Sequence, residues 1–215
     1  VKAVVDRHVA AMEKQLGGVI GRTETELDSR TSSVRTRESA IGNLIADAMR
    51  AATGADAALI NGGGIRGNTV YKAGQDLTSK HILTELPFNN AVVVLAATGR
   101  SLLDALEHGL ARAGREEGRF PHVAGMVVRY DPRRAPGRRV VSVHIGGKPL
   151  DLDKTYKLAT NDFLAGGGDG YTMFKGLKRL VNESNGPAIT NTVIDHIKAK
   201  KTVAPKVEGR VAAVK

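Results

Sequence analysis

Two glycine-rich runs carry the residues of this chain best suited to chemistry, and each lies close to a phenylalanine. The first is Asn61-Gly62-Gly63-Gly64-Ile65-Arg66, followed downstream by Leu86-Pro87-Phe88-Asn89-Asn90. The second is Asn161-Asp162-Phe163-Leu164-Ala165-Gly166-Gly167-Gly168-Asp169-Gly170-Tyr171. Glycine lets the backbone turn with positive φ and approach a ligand closely. Phe88 and Phe163 supply faces on which a ring can stack. Asn61 and Asp169 supply polar groups for a sugar or a base, and Arg66 can hold a phosphate or carboxylate bidentately. That set suits a nucleotide. Either phenylalanine alone would read as core; two of them, each flanked by polar residues and near a glycine run, fit a core less well.

Other chemistries find little support. Gly62-x-Gly64-x-x-Gly67 has dinucleotide-fingerprint spacing, but the fingerprint needs a helix to start on the loop. Here Asn68-Thr69-Val70-Tyr71 continues as turn or strand. No Gly-Lys-Ser/Thr follows a glycine loop, so a Walker loop is absent. The six histidines, His8, His81, His108, His122, His144 and His196, form neither His-x-His nor His-Glu-x-x-His. Asp151-x-Asp153 reads as a turn, and no nucleophile elbow occurs. By ligand spacing the chain has no metal site. With no cysteine, a disulfide, a zinc-thiolate site and a thiol nucleophile are excluded.

The elements that must position the loops follow from periodicity. The chain has 215 residues, 41% hydrophobic and 25% charged, as in an ordinary globular protein. Residues 2–16 have a helical pattern stopped by Gly17-Gly18, which gives the best boundary: a helix over 1–18 and one compact domain over 19–215. Val19 to Leu27 reads as a strand. Thr36-Arg37-Glu38-Ser39 opens a helix whose stripe is Ile41, Leu44, Ile45, Ala48 and Met49, with Gly54 beyond its end. Ala55 to Ile60 is a strand feeding the first glycine run. Thr69 to Ala73 leads to the turn at Gly74-Gln75-Asp76, and Ser79 to Leu86 is a short helix before Pro87. Ala91 to Ala97 is a strand, and Arg100 to Ala113 a helix. Met126 to Tyr130 and Val140 to Ile145 pair across a loop rich in arginine. Thr155 to Thr160 is the strand entering the second glycine run, Ala188 to Ala199 is a helix, and Lys206 to Val214 has strand character. Tight turns among alternating helices and strands predict an α/β fold of α+β character, a mixed sheet flanked by helices.

The formal net charge is +10, with Arg133, Arg134, Arg138 and Arg139 in one cluster and Lys198, Lys200 and Lys201 in another. Nucleic-acid binding would use such charge, but only 4% of residues are aromatic and no stacking platform accompanies the clusters. Pro132, Pro136 and Gly137 make the first cluster a solvated hairpin loop. No apolar run approaches the roughly 18 residues of a membrane span, so neither nucleic acid nor membrane is an expected partner. The chain opens at Val1 without a signal peptide, which reads as a processed protein or a piece of a larger one.

Taken in order, Arg35-Thr36-Arg37-Glu38-Ser39-Ala40-Ile41-Gly42-Asn43-Leu44-Ile45-Ala46-Asp47-Ala48-Met49, Asn61 to Arg66, Leu86 to Asn90, Thr98-Gly99 and Phe163 to Tyr171 resemble the C-terminal domain of the 5'-nucleotidase family of two-domain metallophosphoesterases, which includes UDP-sugar hydrolases. The resemblance runs over about residues 19–212. It implies that this chain is the substrate-binding domain and residues 1–18 the helix joining it to the other. It implies a base clamped between Phe88 and Phe163, a ribose held by Asp169, Asn61 oriented toward the substrate, and a phosphate facing Arg66 and Arg35, with Arg37 in the same motif. The two divalent metal ions and the catalytic Asp-His pair would belong to a separate N-terminal domain, so this chain alone would have no catalytic residue. Nucleoside 5'-monophosphates, UDP-sugars, 2',3'-cyclic nucleotides and thiosulfate adducts are the substrates that relatives of this architecture take, and the phenylalanine pair favours a base-bearing one over the sulfur branch. Family resemblance places the protein in the periplasm or outside the cell. A reading of another class is a non-catalytic nucleotide or nucleic-acid binding module.

Overall fold

A computed structural model describes residues 16–214. The helix expected over residues 2–16 lies almost wholly outside these. The first described elements are β1 (Val19–Thr23), β2 (Leu27–Asp28) and the single-turn helix α1 (Thr31–Val34). The one strand expected over Val19 to Leu27 is therefore two: β1 pairs with strands β5 (Asp76–Thr78) and β13 (Thr202–Val203), whereas β2 pairs with β4 (Val70–Tyr71). Between them the chain turns, and the Thr25 hydroxyl donates to the Pro205 carbonyl at 2.6 Å.

Helix α2 (Ala40–Thr53) starts at Ser39, whose Oγ accepts the Gly42 N–H at 3.1 Å, and ends at Gly54, which has φ 59°. Its stripe of Ile41, Leu44, Ile45, Ala48 and Met49 is buried. Helix α3 (Ser79–Glu85) begins with a capping box between Thr78 and His81. Helix α4 (Gly99–Leu110) is capped by Thr98 and stops three residues earlier than its pattern predicts. Helices α5 (Asp162–Ala165) and α6 (Ile189–Lys200) complete the set.

The centre is a mixed five-stranded sheet in the order β12 (Arg179–Val181), β6 (Val92–Thr98), β11 (Thr155–Asn161), β3 (Ala57–Asn61), β7 (Pro121–Ala124). β3 and β11 are parallel, and the other neighbours are antiparallel. Both faces of the middle of this sheet are covered, so β3 and β6 are near-continuous apolar runs. Alternate residues enter two cores. Ala58, Ile60 and Ala159 face α2 and α6, whereas Ala57, Leu59, Leu95 and Leu158 face α4. Behind α4 lies the sheet β10 (Lys148–Pro149), β9 (Val140–Ile145), β8 (Met126–Tyr130), β14 (Val211–Ala213). The arginine-rich loop is the β8–β9 connection, as its composition predicts. Asp131 within it accepts from the Arg133 guanidinium at 2.8 Å.

Strand β7 was not legible in sequence. It is four residues long and follows Gly118-Arg119-Phe120, where the punctuation of glycine and proline reads as loop. It holds His122, fully buried, whose Nε2–H donates to the Val34 carbonyl at 2.8 Å. Burial pushes the imidazole down to about 4 from an ordinary 6.5, so it is neutral in the folded state. The unfolded chain binds this proton between those two values, so folding stability gains from His122 neutrality above pH 6.5 and loses it as pH falls toward 4. Urea unfolding of wild type and His122→Gln at about pH 5 and about pH 8 should show the wild type losing about 2 kcal/mol more than the variant on acidification.

Candidate functional site

Topology brings both glycine runs to one place. Because β3 and β11 are parallel, their carboxyl ends lie on the same edge of the sheet, where ligands of open α/β sheets bind. Asn61 ends β3 and Asn161 ends β11. The antiparallel neighbours start at that edge: Val92 pairs with Asn161, and Pro121 with Asn61. Four segments therefore converge, namely the two glycine runs, Phe88–Asn90 ahead of β6, and Gly118–Phe120 ahead of β7.

They enclose a cavity of about 530 Å³ that Phe88, Phe163, Asp169, Arg66, Asn61 and Arg35 all line. All six residues therefore share one cavity, and Arg37 does not line it. The two phenylalanines are 56% and 47% exposed, not core residues. Asn90 and Gly118, which sequence reasoning missed, line it too. Gly118 had no legible signal, since its place follows from the long-range pairing of β7. The flanking of Phe88 by two asparagines was a signal for Asn90.

The side chains are held by hydrogen bonds that cross between the runs. The Asn61 amide donates to Asp169 Oδ2 at 2.6 Å, and Asn161 Nδ2 donates to Asn61 Oδ1 at 3.2 Å. Asn161 Oδ1 accepts the Leu164 N–H at 2.7 Å, capping α5 and its Phe163. Asn90 Nδ2 donates to Asp162 Oδ1 at 2.7 Å. Asn61 is only 2% exposed, so its amide is spent on orienting Asp169. Asp169 has φ 50°, a conformation rare outside glycine that persists only where its surroundings enforce it. The His108 Nε2–H, donating to the Asp169 carbonyl at 2.8 Å, is one such constraint.

Arg35 and Arg66 reach the cavity from two different segments of the chain. Arg35 follows α1, which Asp28 anchors by accepting from the Arg30 guanidinium at 2.8 and 2.9 Å and from the Ser33 hydroxyl at 2.5 Å. These bonds hold the Asp28 carboxyl well below the usual carboxylate range. The Arg35 Nε–H is buried with no hydrogen-bond partner among the described residues, an arrangement that favours an anion as acceptor. Arg37 instead donates to Ser33 Oγ at 3.0 Å and is not among the cavity residues. The Arg66 guanidinium carbon lies 5.7 Å from the Phe88 ring centroid, a contact contributing about 0.5–1 kcal/mol at an exposed position. Among the described residues no group of three or more His, Asp or Glu could hold a metal ion, and no helix is long and apolar enough to cross a membrane.

A cavity walled by two exposed phenylalanine rings, two arginines and a hydrogen-bonded carboxylate thus lies at the carboxyl edge of a mixed sheet, where small-molecule sites commonly occur. Residues 19–176 match the family described as the 5'-nucleotidase C-terminal domain, and the chain belongs to that family. It is 36% identical to the trifunctional nucleotide phosphoesterase protein YfkN of Bacillus subtilis, over 99% of this chain and 15% of that protein. It is 31% identical to the 5'-nucleotidase of Homo sapiens, over 98% of this chain and 40% of that one. The crystal structure of a 5'-nucleotidase precursor from Thermus thermophilus matches with a TM-score of 0.88 at 33% identity, over 99% of this chain and 43% of that one. The chain thus spans well under half the length of each of these relatives.

Phe163 lies against a glycine: a Cβ on Gly168 would stand 2.5 Å from three atoms of the Phe163 ring. Gly168→Ala should therefore displace that exposed ring, visible as altered chemical shifts of the cavity residues, while unfolding free energy changes by less than about 1 kcal/mol.

Proposed function

We propose that this chain is the substrate-recognition domain of a two-domain, metal-dependent 5'-nucleotidase acting on nucleoside 5'-monophosphates. One observation carries the reading: Phe88 and Phe163 are both exposed, and they share a cavity with Asp169, Arg35 and Arg66. A nucleotide has a group for each. The base stacks on the phenylalanine rings, and stacking contributes about 1–3 kcal/mol per base whatever the base. The ribose hydroxyls donate to Asp169, which Asn61 holds in place. The phosphate lies toward Arg35 and Arg66, and Arg35 has an uncommitted buried donor for it.

Following the family's two-domain pattern, the reading assigns the two metal ions and the hydrolytic step to an N-terminal domain of the complete protein. This chain's share is affinity and orientation: it fixes base, ribose and phosphate so that the ester bond is presented to that centre. The relatives' names, a trifunctional nucleotide phosphoesterase and 5'-nucleotidases, have the nucleotide in common. A snake venom 5'-nucleotidase among the relatives and a precursor form among the structures fit a site of action in the periplasm or outside the cell.

The test uses the complete protein with adenosine 5'-monophosphate and a divalent metal. Phe163→Ala should raise KM roughly tenfold to a hundredfold, as loss of one stacking face implies, and leave kcat nearly unchanged. Phosphate release by the 215-residue chain alone, persisting through rigorous purification, would overturn the division of labour. Arg35→Ala should weaken binding of the monophosphate while leaving adenosine binding as it was. An equal loss for both ligands would remove Arg35 from the phosphate end.

A further inference from the structure

Glu85 is a buried carboxylate that the nucleotide reading leaves without a role. It is the last residue of α3 and is 1% exposed. Among the described residues it makes no ion pair, so neutral donors alone satisfy it. Its Oε1 accepts from the Ser29 hydroxyl at 2.8 Å and from the Tyr71 hydroxyl at 2.8 Å, and its Oε2 accepts the Gly67 N–H at 3.0 Å. Its main-chain carbonyl accepts the Arg66 N–H at 2.8 Å. Burial pushes the carboxyl upward, and the three donors oppose that shift.

The arrangement is directional. Arg66 and Gly67 close the first glycine run, and both of their amides end on Glu85. Gly67 admits the carboxylate by having no side chain: a Cβ there would stand 1.9 Å from Glu85 Oε1. Three residues beyond Glu85, the same backbone delivers Phe88, over whose ring the Arg66 guanidinium sits. Two cavity-lining groups distant in sequence thus share one anchor, and Ser29 and Tyr71 tie that anchor to β2 and β4. A buried charge with no cation is costly to keep, and an apolar residue would fill this place without supplying the three side-chain hydrogen bonds to three other segments.

We infer that Glu85 is the positioning residue of the Arg66–Phe88 arm, fixing the distance between the stacking ring and the phosphate-facing cation. The inference rests on the nucleotide reading above. Calorimetric titration of the 215-residue chain with adenosine 5'-monophosphate tests it. Glu85→Ala should weaken binding about tenfold, the scale of one lost anchored interaction. Glu85→Gln keeps an acceptor for the Gly67 N–H and should recover most of the affinity. In an Arg66→Ala background Glu85→Ala should cost markedly less, because the group it positions is gone. A general loss of structure would lower affinity by the same factor in both backgrounds and would not be repaired by glutamine. If Glu85→Ala does not fold, the Ser29→Ala/Tyr71→Phe pair, which strips both Oε1 donors, carries the same comparison with and without Arg66. Wild-type binding that none of these changes alters, or equal losses with and without Arg66, overturns the inference alone. Failure of the wild type to bind, or binding indifferent to Phe163→Ala, overturns the nucleotide reading and the inference with it.

Discussion

The parallel pairing of β3 with β11 is the constraint from which the rest of the cavity follows. Ala57 opposite Leu158 and Ala58 opposite Ala159 set two strands running the same way, so two loops far apart in sequence leave the sheet side by side. The antiparallel neighbours then have no choice of edge: the segments before β6 and β7 must begin where β3 and β11 finish. Burial on both faces keeps this register from slipping, because a shift by one residue would move every inward side chain to the other core. Asn61 and Asn161 are the last residues of these adjacent strands, and their side chains bond each other and pass that order on to Asp169 and α5.

Much of this was readable before any coordinates. Ser39, Gly54, Thr98 and Pro87 mark helix ends by local chemistry that does not depend on the fold, and the stripe of α2 declares which face is buried. The phenylalanines were legible by their company of glycines and asparagines. What was not legible depends on pairing across long sequence distances. β7 and β12 are short and lack a period of their own, and Gly118 matters only because β7 lies beside β3. Asn61 looked like a group presented to a ligand, yet its depth commits its amide to Asp169 and Asn161. Glu85 reads in sequence as the last turn of a short helix; only the return of Gly67 onto it reveals a buried carboxylate.

Several buried polar side chains near the cavity hold main chain. His122 holds Val34 just ahead of Arg35, the Glu85 carboxylate holds Gly67, and Asn161 holds the first turn of α5. In each case a buried side chain fixes a short segment beside a group that faces the cavity. Such support places functional groups to within fractions of an ångström when packing alone would leave them loose.

The convergence of four strand ends has a consequence for how the domain responds to occupancy. The cavity walls continue directly into β3, β6, β7 and β11 of the central sheet. Opening the cavity by local unfolding would mean detaching strands from both cores. A bound molecule touching all four segments therefore acts as a cross-brace on the whole sheet, and its free energy of binding appears as resistance of the entire domain to melting and hydrogen exchange, not as the ordering of a lid.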